Sequence, residues 1–172
     1  KHRGVEAGMK IEVRKNTDQL NYEDFLGGAT RVVTITKVDK GRKEAQYDIS
    51  IEGDARYWRP PATVLKLLVL AYGEDDSNWI GKRAQLFGDP DVKMKGVKVG
   101  GIRVSHLSHL DGPLTESLTV TRGQSAIFTI HPITERDMKI LDLRAEYKTA
   151  TPERQAAIVA EVNEINEGAA AL

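Results

Sequence analysis

Residues 78–105 read NWIGKRAQLFGDPDVKMKGVKVGGIRVS, and this stretch decides the fold class. Ala84, Leu86, Val92 and Met94 alternate with Lys82, Gln85, Lys93 and Lys95. Gly96 turns the chain, and Val97, Val99, Ile102 and Val104 carry it back. A period of two is the mark of half-buried strands. The stretch therefore reads as two or three short strands with a basic hairpin between them. Six cations lie within it (Lys82, Arg83, Lys93, Lys95, Lys98 and Arg103), against Asp89 and Asp91. A small β-barrel that presents cations and aromatics on one face suits a flexible polyanion. The competing reading is a solvated edge whose lysines block strand pairing.

Upstream, RVVTITKV at 31–38 is rich in β-branched residues, and AQYDISIEG at 45–53 is its returning strand. ARYWR at 55–59 is a third strand, stopped by Pro60-Pro61. Proline suits a first helical turn and glycine a helix end, so a helix is expected from about Ala62 to Tyr72, closed by Gly73. NTDQLNYEDFLGG at 16–28 is a turn or short helical segment, and MKIEVRK at 9–15 a short edge strand in a flexible segment 1–15. Three strands, a helix and two strands is the order of the five-stranded Greek-key OB barrel. The expected fold is mainly β with added helices: an OB-like barrel at 16–110, an extra β-hairpin at 111–132 turning at Arg122-Gly123, and a C-terminal helical hairpin at 133–172. In that hairpin Thr134 caps the first helix with Asp137 three residues on, and Met138, Leu141 and Ala145 share a face. Thr151-Pro152 starts the second helix, which carries Ile158, Val162 and Ile165.

The 172 residues hold 25 Lys and Arg against 25 Asp and Glu, so net charge does not mark a strongly basic binder. The charge is nonetheless uneven. Residues 1–111 carry 19 cations against 16 anions, and residues 112–172 carry 6 against 9. A basic front and an acidic back fit a chain that grips nucleic acid with one part only. The longest apolar run, VLKLLVLAY at 64–72, is broken by Lys66 and is too short to span a bilayer. No stretch reads as a signal peptide, and there is no cysteine for a disulfide or a thiolate metal site. The expectation is a cytoplasmic protein without a membrane partner.

FLGGATRVVTITKV, the strand pair, AYGEDDSNWIGKRAQLF and KGVKVGGIRVS together resemble a family of small phage-encoded proteins. Its pattern runs from a Leu-Gly-Gly strand opening, through Tyr-Gly, an acidic loop and Trp-Ile-Gly-Lys, to a Gly-Ile-Arg-Val strand. The likeness covers roughly residues 22–105; Trp58-Arg59-Pro60-Pro61 departs from the polar lead into the helix, and nothing after 110 has a counterpart. The resemblance implies an OB-like fold and single-stranded DNA binding in phage replication or recombination.

The candidate nucleic-acid contacts are Arg31, Lys37, Tyr57, Trp58, Arg59, Lys82, Arg83, Lys93, Lys95, Lys98 and Arg103. Tyr57 and Trp58 point to opposite faces of a strand, so at most one is core and the other is free to stack on a base. Lys93, Lys95 and Lys98 fall in the loop between the last two barrel strands, which helps form an OB ligand cleft. Arg103 is expected to face out, Arg31, Lys37 and Arg83 to share the curved open face, and Trp79 to be core. His106 and His109 lack the carboxylate and thiolate company of a metal site, and EDDSN lacks a calcium loop's ligand spacing. VGGIR and GGATR precede no helix and are not phosphate loops. No cofactor, metal or catalytic arrangement is expected. The function expected is non-catalytic single-stranded DNA binding, with the C-terminal helices serving a homo-oligomer or a protein partner. The alternative is a phage structural or adaptor protein that uses the barrel as a scaffold.

Overall fold

A computed structural model describes residue 11, residues 17–42 and residues 44–170. The segment expected at 1–15, with its edge strand, lies outside the described residues except for Ile11. The chain enters through a 3-10 segment, Tyr22–Gly28, and then forms β1 (Thr30–Lys40), β2 (Tyr47–Ile51) and β3 (Tyr57–Trp58). Helix α1 (Ala62–Tyr72) follows, then β4 (Arg83–Asp89), the short β5 (Lys93–Met94) and β6 (Val97–Lys98), and β7 (Gly101–Ser108). A hairpin of β8 (Leu114–Thr121) and β9 (Gln124–Ile133) leads to α2 (Glu135–Tyr147) and α3 (Pro152–Ala170).

Seven strands form one sheet in the order β3-β2-β1-β4-β7-β9-β8, while β5 and β6 pair only with each other. β1 is the shared strand. Its first half pairs with β4, from Thr30↔Phe87 to Thr34↔Arg83, and its second half with β2, from Ile35↔Ile51 to Lys40↔Tyr47. The register slips between Ile35 and Lys37. An extra residue in one strand bends it and increases its twist, which lets β1 serve two ladders that diverge.

The mixed architecture of a large sheet with helices agrees with the expected class, but the sheet does not close into a barrel. In the expected barrel β3 and the last strand would meet. Instead each free edge is taken by another segment. At β3, the Tyr57 amide donates to the Asp18 carbonyl (2.8 Å) and the Leu20 amide to the Tyr57 carbonyl (2.9 Å). At β7, β9 pairs in parallel, His106↔His131 to Ser108↔Ile133. Unpaired edge amides must find partners, and here residues 18–20 and β9 supply them.

α1 covers the concave side of the sheet. Val64, Leu65, Leu67, Leu68 and Tyr72 are buried from it against Val33, Ile35, Ile49, Leu86 and Leu107. Each such side chain contributes about 1.5–3 kcal/mol by leaving water. Pro61 stands just before the helix, and Gly73 closes it at a φ of 87° with its amide on the Val69 carbonyl. The Tyr72 hydroxyl donates to the Ser108 carbonyl at 2.8 Å and fastens the helix to β7. Trp79 is core, as expected, and its indole N–H donates to the Gly73 carbonyl at 2.9 Å.

The helical pair buries Ile140, Leu143 and Ile158, which stand apart from this core. Thr134 accepts from the Asp137 amide as the expected cap. The phase of α2 differs from the expectation: Ile140 and Leu143 are buried, Met138 and Leu141 are half-buried, and Ala145 is exposed. The main tie back to the sheet is Arg83, which meets Asp142 at 2.6 Å and the Met138 carbonyl at 3.4 Å. A chain ending after Ile133 is expected to keep a cooperative thermal transition and the native near-ultraviolet circular dichroism, with its midpoint lowered by only a few degrees. Loss of the cooperative transition would show that the helices complete the main core.

Candidate nucleic-acid interface

Strand geometry delivers many of the expected cations to carboxylates of the same chain. Arg31 points to Asp54 at 2.8 Å, and Asp54 also holds Arg56 at 3.1 Å. Lys37 lies 3.3 Å from Asp39. Arg83 is drawn to α2, as described, and Arg103 to Asp89 at 2.5 Å. Arg31, Lys37 and Arg83 therefore do not share one open face: Arg31 turns to Asp54 in the loop after β2, Lys37 to Asp39 on its own strand and Arg83 to Asp142 on α2. Arg103 does not face out freely either, because it is half-buried with its guanidinium 5.0 Å from the centre of the Phe128 ring. Lys82 is half-buried and reaches over the Tyr72 ring at 5.9 Å.

The Tyr57-Trp58-Arg59 strand is also committed internally. Trp58 is only 1% exposed and is core, so base stacking falls to Tyr57 alone. Tyr57 is half-buried between two guanidinium groups, Arg42 at 4.8 Å and Arg59 at 5.2 Å from its ring centre, and Arg42 also donates to its hydroxyl. Arg59 is buried against Asp48 at 2.6 Å and Asp18 at 2.8 Å. Asp48 is itself 0% exposed and receives Arg42 at 3.2 Å as well. The hydrogen bond from Arg59 holds the Asp48 carboxyl below the ordinary carboxylate range, against the opposing effect of burial. Asp54 is also held well below that range, first by Arg56 and then, after the cost of burial, by Arg31.

The exception is the ribbon of β5 and β6. Lys95 and Gly96 both have positive φ, 48° and 78°, and form a tight two-residue turn. Lys93, Lys95 and Lys98 are all exposed there. Lys98 meets Asp91 at 2.9 Å, but both side chains are well exposed, so the pair is weak and screened. Lys93 and Lys95 form no ion pair among the described residues.

The alternation of Met94 and Val97 suggests half-burial, yet they are 65% and 64% exposed, because no second layer among the described residues covers this ribbon. At its root stands Tyr22, an aromatic that sequence reasoning does not single out. Its ring lies against Gly88 and Gly100, where an added Cβ would come within 3.0 Å and 2.5 Å of ring atoms. The signal is the pair of glycines flanking the ribbon, which admits a ring where any side chain would collide.

The His106 and His131 rings lie 5.6 Å apart, tilted by 43°, but no group of three or more potential metal ligands exists among the described residues. No described helix is long and apolar enough to cross a membrane. No protein-family model, curated protein or solved structure matches the chain.

The sign of the pH dependence follows from the lowered carboxylates. A carboxyl whose folded pKa lies below its unfolded value stabilises the fold above that unfolded value, and the contribution is lost as pH falls through the folded one. Stability is therefore expected to decline as pH falls below about 4, the ordinary carboxylate value. Asp48→Asn is expected to cost about 1–3 kcal/mol at neutral pH, because Arg59 loses its buried anionic partner and keeps only the more exposed Asp18. The same variant should flatten the acid limb. Urea denaturation of both proteins from pH 7 to pH 2 measures this, and an unchanged acid slope would show that Asp48 does not carry it.

Proposed function

We propose that the protein binds single-stranded DNA without catalysis, and that the contact is the β5–β6 ribbon with Tyr22 at its root. The observation that carries this reading is the exposed lysine ribbon between β4 and β7, where Lys93 and Lys95 are left unpaired by the described residues. A flexible polyanion is held by cations that follow its backbone and by aromatic faces that accept its bases. Unpaired lysines release counterions from phosphate, whereas a cation already held by a carboxylate gains less. On this reading Lys93, Lys95 and Lys98 follow the phosphates and Tyr22 offers the ring. Arg31, Arg59, Arg83 and Arg103 serve the fold instead.

The strand order supports an OB-like ancestry for the scaffold. A meander of β1 to β3, a helix, and two further strands with β1 shared between β2 and β4 is the OB order without its closing ladder. In that frame the ribbon is the loop between the fourth and fifth barrel strands. The resemblance to phage-encoded OB-like proteins, carried by residues 22–105, favours a role in phage DNA replication or recombination, in a host cytoplasm.

A structural or adaptor role is the second reading. It is favoured by the internal neutralisation of Arg31, Lys37, Arg59, Arg83 and Arg103. Fluorescence anisotropy with labelled single-stranded and duplex oligonucleotides at two salt concentrations separates the readings. DNA binding predicts a preference for single strands and affinity that falls with salt. It further predicts that Lys93→Ala with Lys95→Ala lowers the salt slope by about 0.7 for each phosphate no longer neutralised. Equal, weak binding to both forms, unaffected by the double substitution, supports the adaptor.

A further inference from the structure

The ribbon has two faces with different chemistry. Lys93 pairs with Lys98, and Met94 with Val97. Paired residues of a two-stranded ribbon point to the same side, and successive residues to opposite sides. Lys93 and Lys98 therefore share a cationic face, and Met94 and Val97 share an apolar face left uncovered by the described residues. Lys95 sits at the turn between them.

A separate groove has the complementary character. It measures about 670 Å³ and runs between α1, the end of β1, the start of β2 and β8. Tyr47, Leu70 and Leu118 line its apolar part, and Leu70 is 50% exposed. Glu74, Asp76 and Glu116 stand around it, with Lys66 as the cation among the lining residues. These three carboxylates form no ion pair among the described residues, although Asp39, Asp48, Asp54, Asp89, Asp91 and Asp142 all do. The groove is thus apolar inside and acidic at the rim, and the ribbon is apolar on one face and cationic at the tip.

The two features do not meet within the structure: Met94 and Val97 stay 65% and 64% exposed, and no residue of the ribbon lines the groove. The ribbon follows β4 beyond Asp89, at the end of the sheet where Thr30 pairs with Phe87. The groove begins at Val38, eight residues further along β1.

We propose that a second copy of this chain fills the groove: the Met94 and Val97 face of one protomer docks on Tyr47, Leu70 and Leu118 of the next, with Lys95 against Glu74, Asp76 and Glu116. Because donor and acceptor patches differ, the contact is head-to-tail. Contacts of this kind grow into rings or open chains rather than stopping at a pair. The cationic face with Lys93 and Lys98 stays outside the contact. Lys95 is shared with the proposed DNA contact, but this inference does not rest on DNA binding and its test uses no DNA.

Sedimentation velocity of the full chain across a wide concentration range reads the association. The expected result is a weight-average mass that rises past the dimer with concentration and falls with added salt. Met94→Asp with Val97→Asp removes the donor face, and Leu70→Asp removes the acceptor; each alone should weaken association by about tenfold or more. Mixing the two variants leaves one intact donor and one intact acceptor, so the mixture should form dimers and stop there. Circular dichroism confirms that each variant is folded. Should either fail to fold, Lys95→Glu and the doubly substituted Glu74→Lys, Glu116→Lys chain replace them, each weakened alone and restored when mixed. A protein that stays monomeric at every concentration, an association indifferent to Leu70→Asp, or a mixture that does not reassociate overturns the proposal.

Discussion

The structure depends on one strand being asked to serve two ladders. β1 pairs with β4 through its first half and with β2 through its second, and the slip between Ile35 and Lys37 is where it changes partner. At that bend the Ile35 amide donates to the Lys82 carbonyl and the Glu52 amide to the Thr34 carbonyl, both at 2.9 Å. Val33 and Ile35 face inward beside the bend and are almost wholly buried. α1 shares one buried core with residues of both ladders, among them Ile49 of β2 and Leu86 of β4. β1 also fixes the functional geography, with the basic ribbon beyond its beginning and the acidic groove beside its end.

Charge placement follows from that frame. A bent sheet with short connections brings Arg31, Arg59, Arg83 and Arg103 against carboxylates of neighbouring elements, and the buried Asp48–Arg59 pair is the most enclosed of these. Such pairs give register and packing more than net stability, since desolvation offsets much of their attraction. They also remove cations from service. Among the described residues, Lys93 and Lys95 of the ribbon and Glu74, Asp76 and Glu116 of the groove are charges that the fold leaves without an ion pair. An uncompensated surface charge is the part of a protein that gains most by meeting a partner.

Local signals are legible in the sequence. Pro60-Pro61 and Gly73 mark the ends of α1, Arg122-Gly123 marks the turn between β8 and β9, and Thr134 with Asp137 marks the cap of α2. Long-range pairing is not. The open barrel depends on residues 18–20 reaching β3 and on β9 reaching β7, and no local pattern announces either. The ion pairs are hidden for the same reason: Arg59 and Asp18 are 41 residues apart. Alternation at Met94 and Val97 points to half-burial, although period two reports only that side chains change sides and not that anything covers them. The phase of α2 is ambiguous because Met138, Ile140, Leu141 and Leu143 are all apolar, so periodicity alone does not choose the face.

The claim that the ribbon, rather than the arginines of the sheet, meets nucleic acid is tested most directly by a backbone-amide NMR titration with a short oligothymidine. The account predicts that the shifts concentrate at residues 92–100 and at Tyr22, with the amides around Arg31, Arg59 and Arg83 unmoved. Shifts centred on those arginines, or no localised shifts at all, would contradict it.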